Sequence, residues 1–294
     1  MAMAQLLGAI GSMVEKATRP PPPPIDRTLP QPPITRDNLD ENIKTARTFY
    51  NMDRTSDFHV AVVGAKGVGK SSLINGLCNR RDDEEGAAPV GRSNNEPKAY
   101  RSAMTDALVL WEMPGAGVGH PSLTYFVDKK LYAFNLILLV SDRFHRVDFE
   151  VARYASHLGR RLIFVRTKAD IAVHQILEHE ESSESDGSSK HHVKEAFETL
   201  RREVEASFRE GLRLCGLSDK WGSLQHFLVS ARTYLDGPSV YASTTDDDYE
   251  DYEDEGQHKL DEDSLLARLN QLTRQSVTRR MRTVRQRNVT NKTS

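Results

Sequence analysis

Eight consecutive residues carry the clearest chemistry in the chain: Gly64-Ala65-Lys66-Gly67-Val68-Gly69-Lys70-Ser71. They fit the pattern G-x-x-x-x-G-K-[ST] in full, behind an apolar block (Phe58 to Val63) and ahead of a helix-like repeat. Bare glycines let successive amides, here those of Ala65 to Gly69, converge on one anionic group. The helix that starts next adds the positive end of its dipole. A lysine in this position contacts β- and γ-phosphates and neutralises charge during phosphoryl transfer, a role that falls to Lys70. The Ser71 hydroxyl is then an Mg²⁺ ligand, with Ser72 beside it in the first helical turn. A glycine turn with an ordinary N-cap accounts for the loop but not for its flanks. The stretch predicts a site for a nucleoside triphosphate with Mg²⁺.

The base is predicted by shorter stretches. Thr167-Lys168-Ala169-Asp170 closes an apolar run and has the form N/T-K-x-D. The Asp170 carboxylate can accept from the N1–H and the exocyclic amine of guanine together. Adenine offers no such donor pair, so a buried carboxylate facing it stays unpaired, at a high cost. The alkyl stem of Lys168 can lie over the base plane. Ser230-Ala231-Arg232 follows another apolar run and resembles the S-A-K loop, whose backbone amide meets the guanine oxygen. Gly115 belongs to a D-x-P-G-like segment between these motifs. In that order the set points to GTP or GDP, and against ATP.

Such loops need a frame. Apolar runs at 58–63, 107–112, 135–140, 161–166 and 225–230 read as strands buried on both faces, with a weaker strand near Tyr100. Helical patterns lie between them, clearest over 193–215, where Val193, Phe197, Leu200, Val204, Phe208 and Leu212 recur at three- and four-residue spacing. The alternation predicts an α/β fold: a P-loop G domain with a mainly parallel, doubly wound sheet and a small helical appendage from the two ends.

That domain is expected over 57–275, preceded by an apolar, proline-rich segment (1–36) and a helix (37–56), and followed by a basic tail (276–294). The prolines favour an extended spacer. Polar insertions at about 180–190 and 243–258 read as disordered loops. Across 294 residues the net charge is only −2, yet the acidic insertion near 250 and the arginine-rich end are strongly opposed. The two cysteines, Cys78 and Cys215, have no C-x-x-C partner, which suits a reducing compartment. No apolar run approaches membrane-spanning length.

At the level of longer stretches the chain, from about Asn38 to Leu272, resembles the immunity-related (interferon-inducible type) GTPases, a dynamin-like group. The similarity lies in "AAPVG", "LWEMPGAGVGH", "YAFNLILLVSDRFHRVDFEVARY", "FVRTKAD" and "FLVS". It implies guanine-nucleotide binding, slow GTP hydrolysis, self-association across nucleotide faces and action at intracellular membranes by a cytoplasmic protein. No nucleic-acid partner is expected. Four departures bear on mechanism. Glu112 stands where the family has the aspartate that holds a water on Mg²⁺. The first switch, Gly91 to Pro97, contains no threonine. Lys66 replaces a small residue in the loop. Finally, only a short segment is left for the family's C-terminal helical lobe, so the N-terminal helix is expected to lack most of its partner. Ala116 follows Gly115 where other GTPases place a glutamine. Lys66, Glu96 and Glu112 are the candidates to orient water or charge.

Overall fold

The computed structural model describes residues 34–52, 56–92, 95–103, 105–115, 122–181, 189–237 and 260–290. The apolar start, the proline-rich spacer, the insertion at 243–258, Ser93, Asn94 and Ala116 lie outside them. β1 (Phe58–Val63), β3 (Leu108–Glu112), β4 (Leu136–Ser141) and β5 (Leu162–Arg166) form the middle of a six-stranded sheet. β2 (Lys98–Arg101) and β6 (Gln225–Leu228) close its edges, giving the order β2-β3-β1-β4-β5-β6. All neighbours are parallel except β2, which runs antiparallel to β3. β1, β3 and β4 are buried along their whole length, which is why they read as apolar runs with a single polar residue each, His59, Glu112 and Ser141. β2 buries only Tyr100 and is accordingly faint in sequence.

Alternate residues feed two layers. Ala61, Val63, Trp111, Ile137, Leu139 and Phe164 face one core, with α3 (Ser122–Asp128), α4 (Arg146–His157) and part of α6 (Ser189–Leu214). Val60, Val62, Leu110, Leu138 and Val165 face the other, beneath α2 (Lys70–Leu77), the short α7 (Thr233–Asp236) and α8 (Glu262–Thr290). α5 (Ala169–Glu181) and the first half of α6 share a third cluster built on Val173, Val193 and Leu200. Glu181 and Ser189 are therefore helical, inside the range expected to be loop.

The N-terminal helix, α1 (Leu39–Phe49), packs against the G-domain core. Ala46 and Met52 are buried in the first core, Arg47 Nε donates to the Ala133 carbonyl at 3.1 Å, and the Tyr50 hydroxyl donates to the Lys129 carbonyl at 3.0 Å. Tyr50 also stacks near Trp111 and Phe134. At the other end, α8 runs unbroken through residue 276, the expected start of the basic tail. Arg280 Nη1 donates to the Asp57 carbonyl at 3.0 Å, which fastens the basic stretch to the start of β1.

That junction encloses His59, only 4% exposed, whose Nδ1 accepts the Trp111 indole N–H at 3.1 Å. Burial, and then the like charges of Arg47, Arg280 and Arg101 against an opposing Asp57, hold its pKa down to about 4. An unfolded His binds its proton near 6.5, so the unfolded chain takes up the proton first as pH falls. The stability linked to His59 is thus present above about 6.5 and lost as pH drops towards 4. Between pH 7 and 4.5 this costs roughly 2–3 kcal/mol. Urea midpoints of the chain and of His59→Gln at those two pH values check it: the variant should lose visibly less stability on acidification.

Candidate functional site

β1 lies between β3 and β4, and the chain leaves its C-terminal end directly into the glycine loop. This is the crevice position where open α/β sheets bind ligands. The loop is feasible only with glycine. A Cβ on Gly64 would sit 2.0 Å from the Val140 carbonyl oxygen, and Gly69, the cap of α2, holds φ at +88°. Lys70 is buried at 8% exposure, with Nζ donating to the Gly64 carbonyl at 3.0 Å and the Ala65 carbonyl at 2.7 Å. Burial pushes its pKa down, and Glu112 works against that shift. Ser71 donates its hydroxyl to Glu112 Oε1 at 2.6 Å, across 41 residues of sequence.

A cleft of about 530 Å³ opens over these groups. Lys66, Gly67, Gly69, Lys70, Ser71 and Ser72 form one wall; Gly91, Arg92 and Asn95 of the first switch, then Glu112 and Gly115, form another, and Lys168 stands at the margin. Lys66 is exposed at the mouth. Glu96 is exposed and does not line the cleft, although its neighbour Asn95 does. Ala65 and Val68 complete the loop beneath it, with Val68 in the core under α2.

The guanine-type loops join the same end of the sheet, where Lys168 lines the cleft and Thr167, Asp170 and Ser230-Ala231-Arg232 stand behind it. Thr167, fully buried, donates its hydroxyl to the Val68 carbonyl at 2.5 Å, which locks the T-K-x-D turn to the glycine loop. Lys168 adopts φ +58°, a left-handed value uncommon outside glycine, and Asp170 follows it, 6% exposed, in the first turn of α5. The Ala169 amide reaches the Val229 carbonyl at 3.3 Å, which sets Ser230-Ala231-Arg232 beside that turn. Ser230 is itself fixed by Glu262, whose Oε1 accepts its amide at 2.8 Å, and Asp261, just before α8, accepts the Leu228 amide at 2.8 Å.

The donor set suits Mg²⁺. A hydroxyl and a carboxylate oxygen are already in contact at the loop, and this hard ion takes few protein oxygens while keeping several waters. Among the described residues no group of three or more His, Cys, Asp or Glu side chains could hold a metal, a composition that does not count against an ion shared with phosphates.

Two comparisons bear on identity. A family model described as "Interferon-inducible GTPase (IIGP)" matches residues 31–194, more than half of the chain. The chain belongs to the interferon-inducible GTPase family. Relatives include Interferon-inducible GTPase 1 of Mus musculus, 32% identical over 53% of this chain and 37% of that one. Interferon-inducible GTPase 5 of Rattus norvegicus is 32% identical over 60% of this chain and 36% of that one. The matched stretch thus spans about a third of each relative. Among solved structures, Toc33 from Arabidopsis thaliana in complex with Mg²⁺ and GMPPNP aligns with a TM-score of 0.41 at 15% identity, over 82% of this chain and 92% of that one.

Sequence reasoning missed Asn75. Wholly buried on α2, it accepts the Ala88 amide at 2.7 Å and donates to the Ala88 carbonyl at 3.0 Å and to Asp82 at 2.7 Å. It clamps the entry to the first switch through both backbone groups of one residue. Asp148, quoted only for family likeness, also positions. Its carboxylate accepts the His145 amide at 2.9 Å, and burial pushes its pKa up to about 6. A buried amide in a helix looks like any other polar residue until its partner is known. "N-x(12)-A" carries no signal.

Proposed function

We propose that the chain binds Mg·GTP in this cleft and hydrolyses it slowly to GDP. The carrying observation is the convergence at one sheet end of Lys70 on two loop carbonyls, Ser71 on Glu112, and Thr167 on Val68. Bound Mg²⁺ supplies charge neutralisation at the phosphate oxygens. Ser71 would hold it directly and Glu112 through water. Lys70 would bear on charge developing at the γ-phosphoryl group, with Lys66 a second cation at the mouth. Loop amides orient the phosphates, and Thr167, Lys168, Asp170 and the Ser230-Ala231-Arg232 loop select guanine.

One observation favours a second reading, a nucleotide-gated scaffold with negligible turnover. Glu112, a methylene longer than the family's aspartate, reaches the Ser71 hydroxyl directly rather than standing a water's width away. Glu112→Asp shortens the arm and releases Ser71. We expect roughly a tenfold faster single-turnover rate, since placement errors near 1 Å cost about two orders of magnitude in catalysis. GTP left intact for hours on both proteins leaves the scaffold standing. No calorimetric heat with GTP or GDP and magnesium removes both readings.

Self-association through the nucleotide face belongs to the same proposal. Val90, at the first switch, and Ile171, next to Asp170, are exposed large hydrophobics beside the cleft. Turnover per molecule should rise with protein concentration. A cytoplasmic protein acting peripherally at an intracellular membrane completes the proposal, motivated by the apolar first residues and the arginine-rich end of the sequence. Among the described residues no helix is long and apolar enough to cross a membrane.

A further inference from the structure

A second cleft, of about 400 Å³, opens at the opposite end of the strands. Leu136, Leu162 and Gln225, the first residues of β4, β5 and β6, form its floor. The glycine loop meets the far end of β4 at Val140, four residues on. At 3.3 Å per residue the two sites are separated by roughly 13 Å of strand.

The wall is cationic. Arg160 and Arg161 come from the turn after α4, Lys220 from the 3-10 turn Ser218–Lys220, and Arg268 from α8. Among the described residues no Asp or Glu lines the cleft. Among the described residues Arg268 is held by neutral partners, donating to Gln225 Oε1 at 2.8 Å and Gln271 Oε1 at 2.7 Å, so its guanidinium is oriented without a carboxylate among them. Arg160 is fixed through Nη2, which donates to the Phe134 carbonyl at 2.6 Å. Its Nε is buried with no acceptor, although burial and the adjacent Arg161 both disfavour its charge. Three features oppose an anion here. Asp219 lies 3.1 Å from Lys220, Asp40 acts on Arg160, and the C-terminal end of α4 carries a partial negative charge. Lys220 and Asp219 are both largely in water, where such pairs are weak, and four full cations outweigh one helix end.

We propose that this end is a second ligand site, for an anion bearing two or more phosphate groups, gripped by Arg160, Arg161, Lys220 and Arg268. Converging guanidinium groups are the side chains suited to bidentate phosphate contacts, and their spread around the cleft asks for more than one phosphate. The polyphosphate is either a soluble metabolite or the headgroup of a phosphorylated lipid; the recognition chemistry is common to both.

The test uses inositol trisphosphate as the probe and the full chain, in calorimetry at fixed ionic strength, once with saturating GDP and once as Lys70→Ala. Binding is expected in both, since neither treatment touches the far end. Arg161→Ala combined with Lys220→Ala removes two exposed side chains and should weaken it at least about tenfold, with an unchanged melting temperature. Sedimentation with phosphatidylcholine vesicles, with and without phosphatidylinositol bisphosphate, then distinguishes the sources. Retention on the phosphorylated vesicles alone, lost in the double variant, identifies a lipid headgroup. Binding of free inositol trisphosphate without retention identifies a soluble ligand. No binding to the GDP-loaded or Lys70→Ala chain, or equal binding by chain and double variant, overturns the proposal. Because the Lys70→Ala arm does not need a working nucleotide cleft, failure of the GTP reading leaves this result interpretable.

Discussion

Lys70→Ala is expected to weaken Mg·GDP binding by at least about 100-fold, the largest loss any single truncation in the cleft should give. Removing one member of a buried, hydrogen-bonded charge pair typically costs about 2–5 kcal/mol, much of it from the partner left behind. Here two kinds of partner are left. The carbonyls of Gly64 and Ala65 lose the ammonium that draws them together, so the loop loses its clip. Glu112, 4% exposed, loses the cation that offsets its charge, at the same place where phosphates bring more negative charge. Lys66→Ala is the contrast. That side chain is exposed at the mouth, and GDP has no γ-phosphate for it to meet, so affinity for GDP should stay within about threefold. Titration calorimetry with Mg·GDP on the three proteins separates the roles. Equal affinity for GDP in the chain and Lys70→Ala would remove Lys70 from the phosphate site.

How much of this was readable beforehand follows from where each signal resides. β1, β3 and β4 announce themselves because both faces are covered, so nearly every residue is apolar, with His59, Glu112 and Ser141 the buried polar exceptions. β2 shows one buried side chain, Tyr100, among exposed neighbours, and a single aromatic is a weak strand signal. The glycine loop was legible in full, since its shape demands residue types at fixed offsets: Gly64 for lack of room, Gly69 for its φ. The contacts that complete the site are tertiary. Ser71 and Glu112 were each singled out, yet their direct bond depends on β3 lying beside β1, which register fixes and sequence does not state. Arg280 is the extreme case. It looks like one more charge in a solvated tail, and its partner Asp57 is 223 residues away. The apolar stripe of α8, Leu265, Leu269 and Leu272, was legible because it packs on the second core.

Asp170→Asn should exchange the base preference, lowering affinity for GTP about 100-fold or more while raising it for xanthosine triphosphate. Asp170 sits at 6% exposure in the first turn of α5, and the left-handed turn at Lys168 fixes how the chain enters that turn. A carboxylate there accepts from two guanine N–H groups; charged hydrogen bonds of this kind are each worth about 1.5–3 kcal/mol. An amide keeps one acceptor but turns an N–H towards the guanine amine, donor against donor. Xanthine carries a carbonyl oxygen where guanine carries that amine, so the same substitution gives it a matching partner. The backbone needs no adjustment, because Thr167 holds the turn through the Val68 carbonyl and the Val229 carbonyl holds Ala169, neither of which involves the Asp170 side chain. Loss of GTP without gain of the xanthine nucleotide would indicate a collapsed loop, and a melting curve would show it. Unchanged GTP affinity would mean that Asp170 never meets the base, and guanine selection would then have to be sought elsewhere around the cleft.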